Sequence, residues 1–120
     1  MRYEVRGPET FACFCHCESC QRAAGAPLVA WATYARDDFR ITRGDMNWHR
    51  SSPSVTRGVC SNCGTSLSYE NERRPGEIDL TVNSLDDPGV PTLLAHIWTE
   101  DAQPWLRIED DLPVYKRNIG

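Results

Sequence analysis

The sequence predicts a mainly β fold of small antiparallel sheets, with at most one or two short helical turns. Its 120 residues, 40% of them hydrophobic, are enough for the core of one domain and too few for two ordinary domains. Eight glycines and eight prolines punctuate the chain so evenly that no interval suits a helix of about four turns. Most intervals alternate in polarity or are rich in β-branched and aromatic residues, which is typical of short strands. We therefore expect one domain over residues 1–120.

Nine intervals have this strand pattern, and one has the composition of a helix. Strands are predicted at residues 2–6, 11–17, 28–34, 39–42, 46–51, 55–59, 65–69, 77–82 and 93–98. Glycine and proline turn signals separate most of them. The helix is predicted from Glu18 to Ala24, and Gly25 is the residue that closes it.

Composition excludes several classes of protein. The chain has 13 Lys and Arg against 17 Asp and Glu, and residues 77–111 hold nine acids against the single base Arg107. Such an acidic half argues against a nucleic-acid partner, whose phosphates require a basic surface. No apolar run approaches the roughly 20 residues that cross a bilayer, and no secretory signal opens the sequence. The six cysteines are therefore expected to be reduced thiols of a soluble, cytoplasmic protein that binds no membrane.

The first cysteine cluster is Cys13-Phe14-Cys15-His16-Cys17-Glu18-Ser19-Cys20. In a strand, the odd-numbered cysteines would share one face and His16 would lie on the other, pointing away from the metal. A Cys-x-Cys-x-x-Cys arrangement brings three sulfurs together at the ~2.3 Å Zn–S distance and leaves a fourth zinc position open. The spacing predicts a reactive metal site held by Cys15, Cys17 and Cys20.

The second cluster, Cys60-Ser61-Asn62-Cys63-Gly64, is typical of half a zinc knuckle. A redox pair is the alternative, but it needs its first sulfur at a helix N-terminus, and the residues that follow are predicted to form a strand. Metal binding is therefore favoured for Cys60 and Cys63. Six inert buried thiols are the competing interpretation of all the cysteines, and Cys13 suits it better than it suits a ligand.

Short motifs recur in a fixed order along nearly the whole chain, namely Cys15-His16-Cys17-x-x-Cys20-Gln21-Arg22, Gly25-Ala26-Pro27, Ala30-Trp31, Ser51-Ser52-Pro53, Cys60-x-x-Cys63-Gly64-Thr65, Ile78-Asp79, Ser84-Leu85-Asp86-Asp87-Pro88, His96-Ile97-Trp98, Pro104-Trp105 and Leu112-Pro113. In these segments the chain resembles the glutathione-dependent formaldehyde-activating enzyme family, which includes centromere protein V-like proteins. Each segment is weak alone, whereas their combined order is specific.

This resemblance implies an Mss4-like β-tent and two zinc sites. Cys15, Cys17 and Cys20 inherit the metal associated with activity, and Cys60 and Cys63 inherit half of the structural site. The family's other half is a Cys-x-Cys-Gly segment just before a Val-Arg-Tyr segment, and it is absent here. We interpret Met1 as the family's valine, read from a GTG start codon, so that the assigned start is too late.

The resemblance also implies the activity, which is a carbon–sulfur lyase-like reaction joining glutathione and formaldehyde as S-hydroxymethylglutathione. The residues themselves predict only thiol chemistry at zinc. Expected substrate contacts are Arg22, Trp31, His96 and Trp98. The competing interpretations are a surface arginine, two core or pocket-wall tryptophans, and a structural histidine. No catalytic residue beyond the zinc ligands is assigned, and His49 has no partner visible in the sequence.

Two other functions fit the same residues. One is a non-catalytic zinc module that binds glutathione or a protein partner. The other is methionine sulfoxide reduction on a related β-tent, which requires a reactive, metal-free cysteine and is disfavoured because the well-spaced cysteines are assigned to metal. A homodimer is possible, since an exposed strand edge can pair two chains.

Overall fold

The computed structural model describes residues 1–119, which form nine strands, one α-helix and three short 3-10 helices. The strands are β1 (Arg2–Val5), β2 (Phe11–Cys15), β3 (Val29–Ala35), β4 (Phe39–Arg43), β5 (Met46–Ser52), β6 (Val55–Cys60), β7 (Ser66–Asn71), β8 (Glu77–Thr81) and β9 (His96–Ile97). The helix α1 spans Glu18–Ala24, and the 3-10 helices span Arg36–Asp38, Val82–Ser84 and Thr99–Asp101. The predicted mainly β class and the predicted helix bounds are confirmed.

The strands form two sheets. Strands β1 and β4 make a two-stranded antiparallel sheet, and the other seven make one sheet in the order β5-β6-β7-β8-β3-β2-β9. Its pairings are antiparallel except that of β2 with β9, which is parallel. The prediction of antiparallel sheets alone is therefore wrong at this edge, where a long connection after β8 brings the chain back beside β2.

The strand predicted at residues 93–98 is shorter in the structure, where only His96–Ile97 has strand geometry. Trp98 ends it, because its φ of 56° lies in the left-handed region that no strand residue occupies. The preceding residues still follow β2, since the Leu94 amide donates to the Ala12 carbonyl oxygen over 2.9 Å. This edge carries the chain from the sheet to the C-terminal segment.

The main core lies on one face of the seven-stranded sheet. Ala32, Ile78 and Leu80 are fully buried there, on β3 and β8. Phe39 of β4 and the partly buried Tyr3 of β1 pack against them and thereby cover this face with the two-stranded sheet. Burial of large side chains of this kind contributes about 1.5–3 kcal/mol each to folding.

The opposite face of the same sheet carries a row of polar side chains beside a second buried cluster that includes Cys15 and Trp31. The strand register places Thr33 opposite Asp79, Asp79 opposite Tyr69, and Tyr69 opposite Arg57 in one row across four strands. Thr33 donates to an Asp79 carboxylate oxygen over 2.5 Å, and Arg74 pairs with that carboxylate from the side. Because side chains alternate between faces, the buried core on one side forces this polar row onto the other.

Candidate metal centre

Three cysteine sulfurs meet where β2 passes into α1. The sulfur atoms of Cys15, Cys17 and Cys20 all lie within 4.8 Å of one another. Tetrahedral zinc with ~2.3 Å bonds holds its sulfurs about 3.8 Å apart, so the cluster needs little movement to close on an ion. Among residues 1–119, no fourth Cys, His, Asp or Glu joins this group. The cluster therefore matches a three-ligand centre with an open position.

Local structure explains why these sulfurs converge. Cys15 is the last residue of β2, Cys17 is the N-cap of α1, and Cys20 lies in the first turn of the helix. The Cys17 sulfur accepts a hydrogen bond from the Cys20 amide over 3.4 Å, in the way that serine caps a helix. Gly25 ends the helix in the left-handed conformation, with φ of 63°, and donates its amide to the Gln21 carbonyl oxygen. Both ends of this short helix are thus fixed.

Contacts within the cluster shift the pKa values of its thiols in opposite directions. Thiol donation from Cys15 and Cys17, helped by the Arg57 guanidinium, holds the pKa of Cys20 far below that of a free thiol. The pKa of Cys15 is raised because its thiol donates to both neighbours and is buried. Zinc binding would release the thiol protons of the cluster, because the thiolate is the form of cysteine that binds a metal ion.

The cleft beside α1 contains the predicted substrate residue Arg22. It encloses about 450 Å³ and is lined by Glu18, Gln21, Arg22, Asp101, Gln103 and Trp105 among others. Arg22 is exposed and pairs with Glu18 over 2.5 Å across one helical turn. Trp105 is 69% exposed at the rim. An arginine with an exposed aromatic ring beside it suits a small ligand that carries a carboxylate.

The other predicted substrate residues lie closer to the cluster. Trp31 is buried, packs with Cys15 and Cys20, and faces the Tyr69 ring at 6.0 Å. Trp98 is half-buried against the same group, and its indole nitrogen donates to the Asn118 side chain. Trp31 therefore packs behind the cysteines, whereas part of the Trp98 side chain is exposed to solvent.

His96, the fourth predicted substrate residue, is buried and hydrogen-bonded within the chain. It is 4% exposed, its Nδ1 lies 2.8 Å from Nε2 of His16, and its Nε2 lies 2.9 Å from an Asp110 carboxylate oxygen. Its ring also stacks on Phe14 at 4.8 Å between centroids. Both ring nitrogens are therefore occupied within the chain, which favours the structural interpretation of this histidine.

Cys60 and Cys63 lie apart from the first cluster, beside the N-terminus. They border a second cavity of about 250 Å³, together with Met1 and Tyr3. Cys60 is buried, whereas Cys63 is exposed and its sulfur lies 2.9 Å from the Thr65 hydroxyl. That contact, with help from Cys60, lowers the pKa of Cys63 to about 7. Within residues 1–119 the pair has no third protein ligand near enough to complete a group.

Cys13 and His49 both lie outside the sulfur cluster. Cys13 is buried outside the sulfur cluster, and burial raises the pKa of its thiol to about 12, as expected of an inert thiol. His49 is exposed on β5.

Sequence reasoning did not find Arg57, Tyr69 or Asp110. Arg57 stacks on Tyr69, 5.0 Å from the ring centroid, and its Nη2 donates to the Cys20 sulfur over 3.7 Å. In the sequence, an arginine in the middle of a strand is the only hint of this role. Asp110 lies in an acidic run that is typical of a solvated loop, and nothing in that run indicates a histidine partner.

No helix in the part of the chain that the structure describes has the length and apolar character to cross a membrane. A solved crystal structure of a Rhodobacter sphaeroides protein shares the fold, with a TM-score of 0.59 and 23% identity over 74% of this chain and 81% of that chain. No curated protein matches the sequence significantly. The family model described as "Glutathione-dependent formaldehyde-activating enzyme" matches residues 1–101. The chain therefore belongs to the glutathione-dependent formaldehyde-activating enzyme family.

Proposed function

We propose that this protein binds zinc through Cys15, Cys17 and Cys20 and joins glutathione to formaldehyde as a carbon–sulfur lyase-like enzyme. The observation that carries the proposal is the convergence of three sulfurs within 4.8 Å at the end of β2. Family membership supplies the two substrates. The proposed setting is the cytoplasm, where glutathione keeps thiols reduced.

The donor set fits zinc better than the other common metals. Three thiolates and no carboxylate suit a soft or borderline ion, and Mg²⁺ and Ca²⁺ require oxygen ligands. Zinc at this position would keep an incoming thiol deprotonated at neutral pH. Cys17 is partly exposed, whereas Cys15 and Cys20 are buried. A substrate would therefore reach the cluster from the side of Cys17.

The proposed reaction forms a carbon–sulfur bond and an oxygen–hydrogen bond, and it breaks a sulfur–hydrogen bond and the carbon–oxygen π bond. The glutathione thiol gives its proton to water, its sulfur gives an electron pair to the formaldehyde carbon, and the π electrons move to oxygen, which takes a proton from water. Arg22 in the cleft would bind a glutathione carboxylate, and Trp98 would border the reacting carbon. Trp31 would exclude water behind the sulfurs, which strengthens the electrostatic interactions there.

A non-catalytic zinc module that binds glutathione or a protein partner is the second candidate. The hydrogen bonds of His96 favour this candidate, because both of its ring nitrogens have partners within the chain and neither is free to give a proton to the formaldehyde oxygen. A homodimer fits either function, since β5 is an edge strand of the seven-stranded sheet.

The deciding experiment measures the rate of S-hydroxymethylglutathione formation by NMR exchange spectroscopy, with and without the zinc-loaded protein. We expect acceleration by the wild type, loss of it in Cys17→Ser, and retention in Cys13→Ala, which removes a thiol outside the cluster. Glutathione binding without any acceleration would establish the non-catalytic module. Acceleration that survives in Cys17→Ser would contradict the proposed site.

A further inference from the structure

Arg57 reaches the sulfur cluster from the neighbouring part of the sheet. It lies on β6, and its Nη2 donates to the Cys20 sulfur over 3.7 Å, a distance suited to a hydrogen bond to sulfur. Among residues 1–119, no other arginine donates a hydrogen bond to a sulfur of the cluster. A contact of this kind to a metal-binding cysteine orients the ligand and modifies its donor strength.

The guanidinium is held in place by an aromatic ring. Arg57 and Tyr69 are cross-strand neighbours, and the guanidinium carbon lies 5.0 Å from the Tyr69 ring centroid. Tyr69 in turn packs against Trp31, which lines the cluster. A cation stacked on a ring in this way loses little additional freedom when it makes a hydrogen bond.

Arg57 also differs from most arginines of this chain in its charge balance. No carboxylate of residues 1–119 forms an ion pair with it, whereas eight other arginines have acidic partners. Its Nη1 is buried and has no acceptor among the same residues. Within residues 1–119, Arg57 therefore directs its positive charge to the Cys20 sulfur without a carboxylate partner.

We propose that Arg57 is a positioning residue that fixes the Cys20 sulfur and offsets the negative charge of the metal-loaded cluster, so that a further thiolate can bind. The inference rests on the proposed function. Three thiolates around a divalent ion leave one net negative charge, and an added thiolate makes a second. A fixed cation in a partly buried site favours both charges far more than an exposed one does.

The test uses Co²⁺ as a visible probe for the metal, with Arg57→Gln as the variant. Arg43→Gln is the matched control, because it removes the same charge from an exposed residue of β4. We expect Co²⁺ affinity at fixed pH to fall about tenfold or more in Arg57→Gln and to stay unchanged in the control. The sulfur-to-cobalt absorption band should also move to longer wavelength, since a sulfur without its hydrogen bond is a stronger donor.

A variant that keeps the charge separates positioning from folding. Arg57→Lys should recover part of the lost affinity. Equal affinities in Arg57→Gln and Arg43→Gln would overturn the inference, and so would a loss of affinity without any movement of the band. Near-ultraviolet circular dichroism of each variant checks that the fold is retained.

Glutathione titration of the Co²⁺ protein completes the test. We expect the fall in glutathione affinity in Arg57→Gln to exceed that in Arg43→Gln, since the bound thiolate adds a second negative charge. Normal Co²⁺ binding by the wild type without a spectral change on adding glutathione would contradict the proposed function and the thiolate-binding part of the inference, while the Co²⁺ affinities of the variants would still decide whether Arg57 positions the Cys20 sulfur. A wild type that binds no Co²⁺ would overturn both the function and the inference.

Discussion

The rings of His16 and His96 are joined directly, with 2.8 Å between Nε2 of His16 and Nδ1 of His96. Asp110 accepts from Nε2 of His96, so a neutral His96 has its lone pair on Nδ1 and receives the His16 proton there. These two hydrogen bonds hold the ring of His16, the residue between Cys15 and Cys17, and connect it through His96 to Asp110 in the C-terminal segment. The segment that carries Cys15, Cys17 and Cys20 is thereby connected to a residue almost a hundred positions later in the chain.

Removal of Asp110 should destabilise this connection. In Asp110→Ala, Nε2 of the buried His96 loses its acceptor, and we expect the free energy of unfolding to fall by about 1–3 kcal/mol. Asp111→Ala is the matched control, because this neighbouring acid is exposed and should change stability by less than about 0.5 kcal/mol. Urea denaturation of both variants measures the difference. Equal stabilities would show that the Asp110 contact contributes nothing.

We expect about one zinc ion per chain, because only one group of three ligands exists in residues 1–119. The double variant Cys60→Ser/Cys63→Ser should retain this content, whereas Cys17→Ser should lose most of it. Elemental analysis of purified protein gives the ratio. A content near two that drops to one in the double variant would instead establish a second site at Cys60 and Cys63.

Gly25 is expected to matter for conformation rather than for space. Its φ is +63°, and a Cβ added there meets no atom within 4 Å. Gly25→Ala should therefore lower the free energy of unfolding by about 1 kcal/mol through backbone strain alone. Gly25→Asn should lose less, because asparagine tolerates the left-handed conformation. Thermal unfolding of both variants tests this order, and a more stable alanine variant would contradict it.

Stability should fall at alkaline pH partly through Tyr3. Burial raises the pKa of its phenol above the usual value near 10, so the folded chain keeps a proton that the unfolded chain releases. The stability due to this group is complete below about pH 10 and is lost as pH rises through the folded pKa. Tyr3→Phe should therefore lose stability less steeply between about pH 9 and 11. Identical slopes in urea denaturation would refute the assignment to Tyr3.

The same variant has a predictable effect at neutral pH. Ser84 donates its only hydroxyl proton to the Thr81 carbonyl oxygen over 2.7 Å, so Tyr3 must donate to Ser84 in their 2.6 Å contact. Tyr3→Phe removes this hydrogen bond and should cost about 0.5–1.5 kcal/mol.

Much of the fold and of the cysteine cluster was predictable from local pattern. The helix bounds follow from Glu18–Ala24 with Gly25 after it, and all nine strands were expected near their observed positions. Strand β9 is shorter than predicted because a left-handed Trp98 ends it, and its pairing is parallel rather than antiparallel. Neither feature is visible in a sequence, because both depend on where a long connection returns to the sheet.

The sequence by itself determined the mainly β class, the helix that presents Cys20 and the three-sulfur cluster, because periodicity, caps and ligand spacing are local properties. Only the tertiary structure decided which distant residues surround that cluster. Strand register brings Arg57 to the Cys20 sulfur, and the chain's return past β9 brings Asp110 to His96. Pairing between strands far apart in sequence depends on the whole packed sheet, so no short pattern contains it.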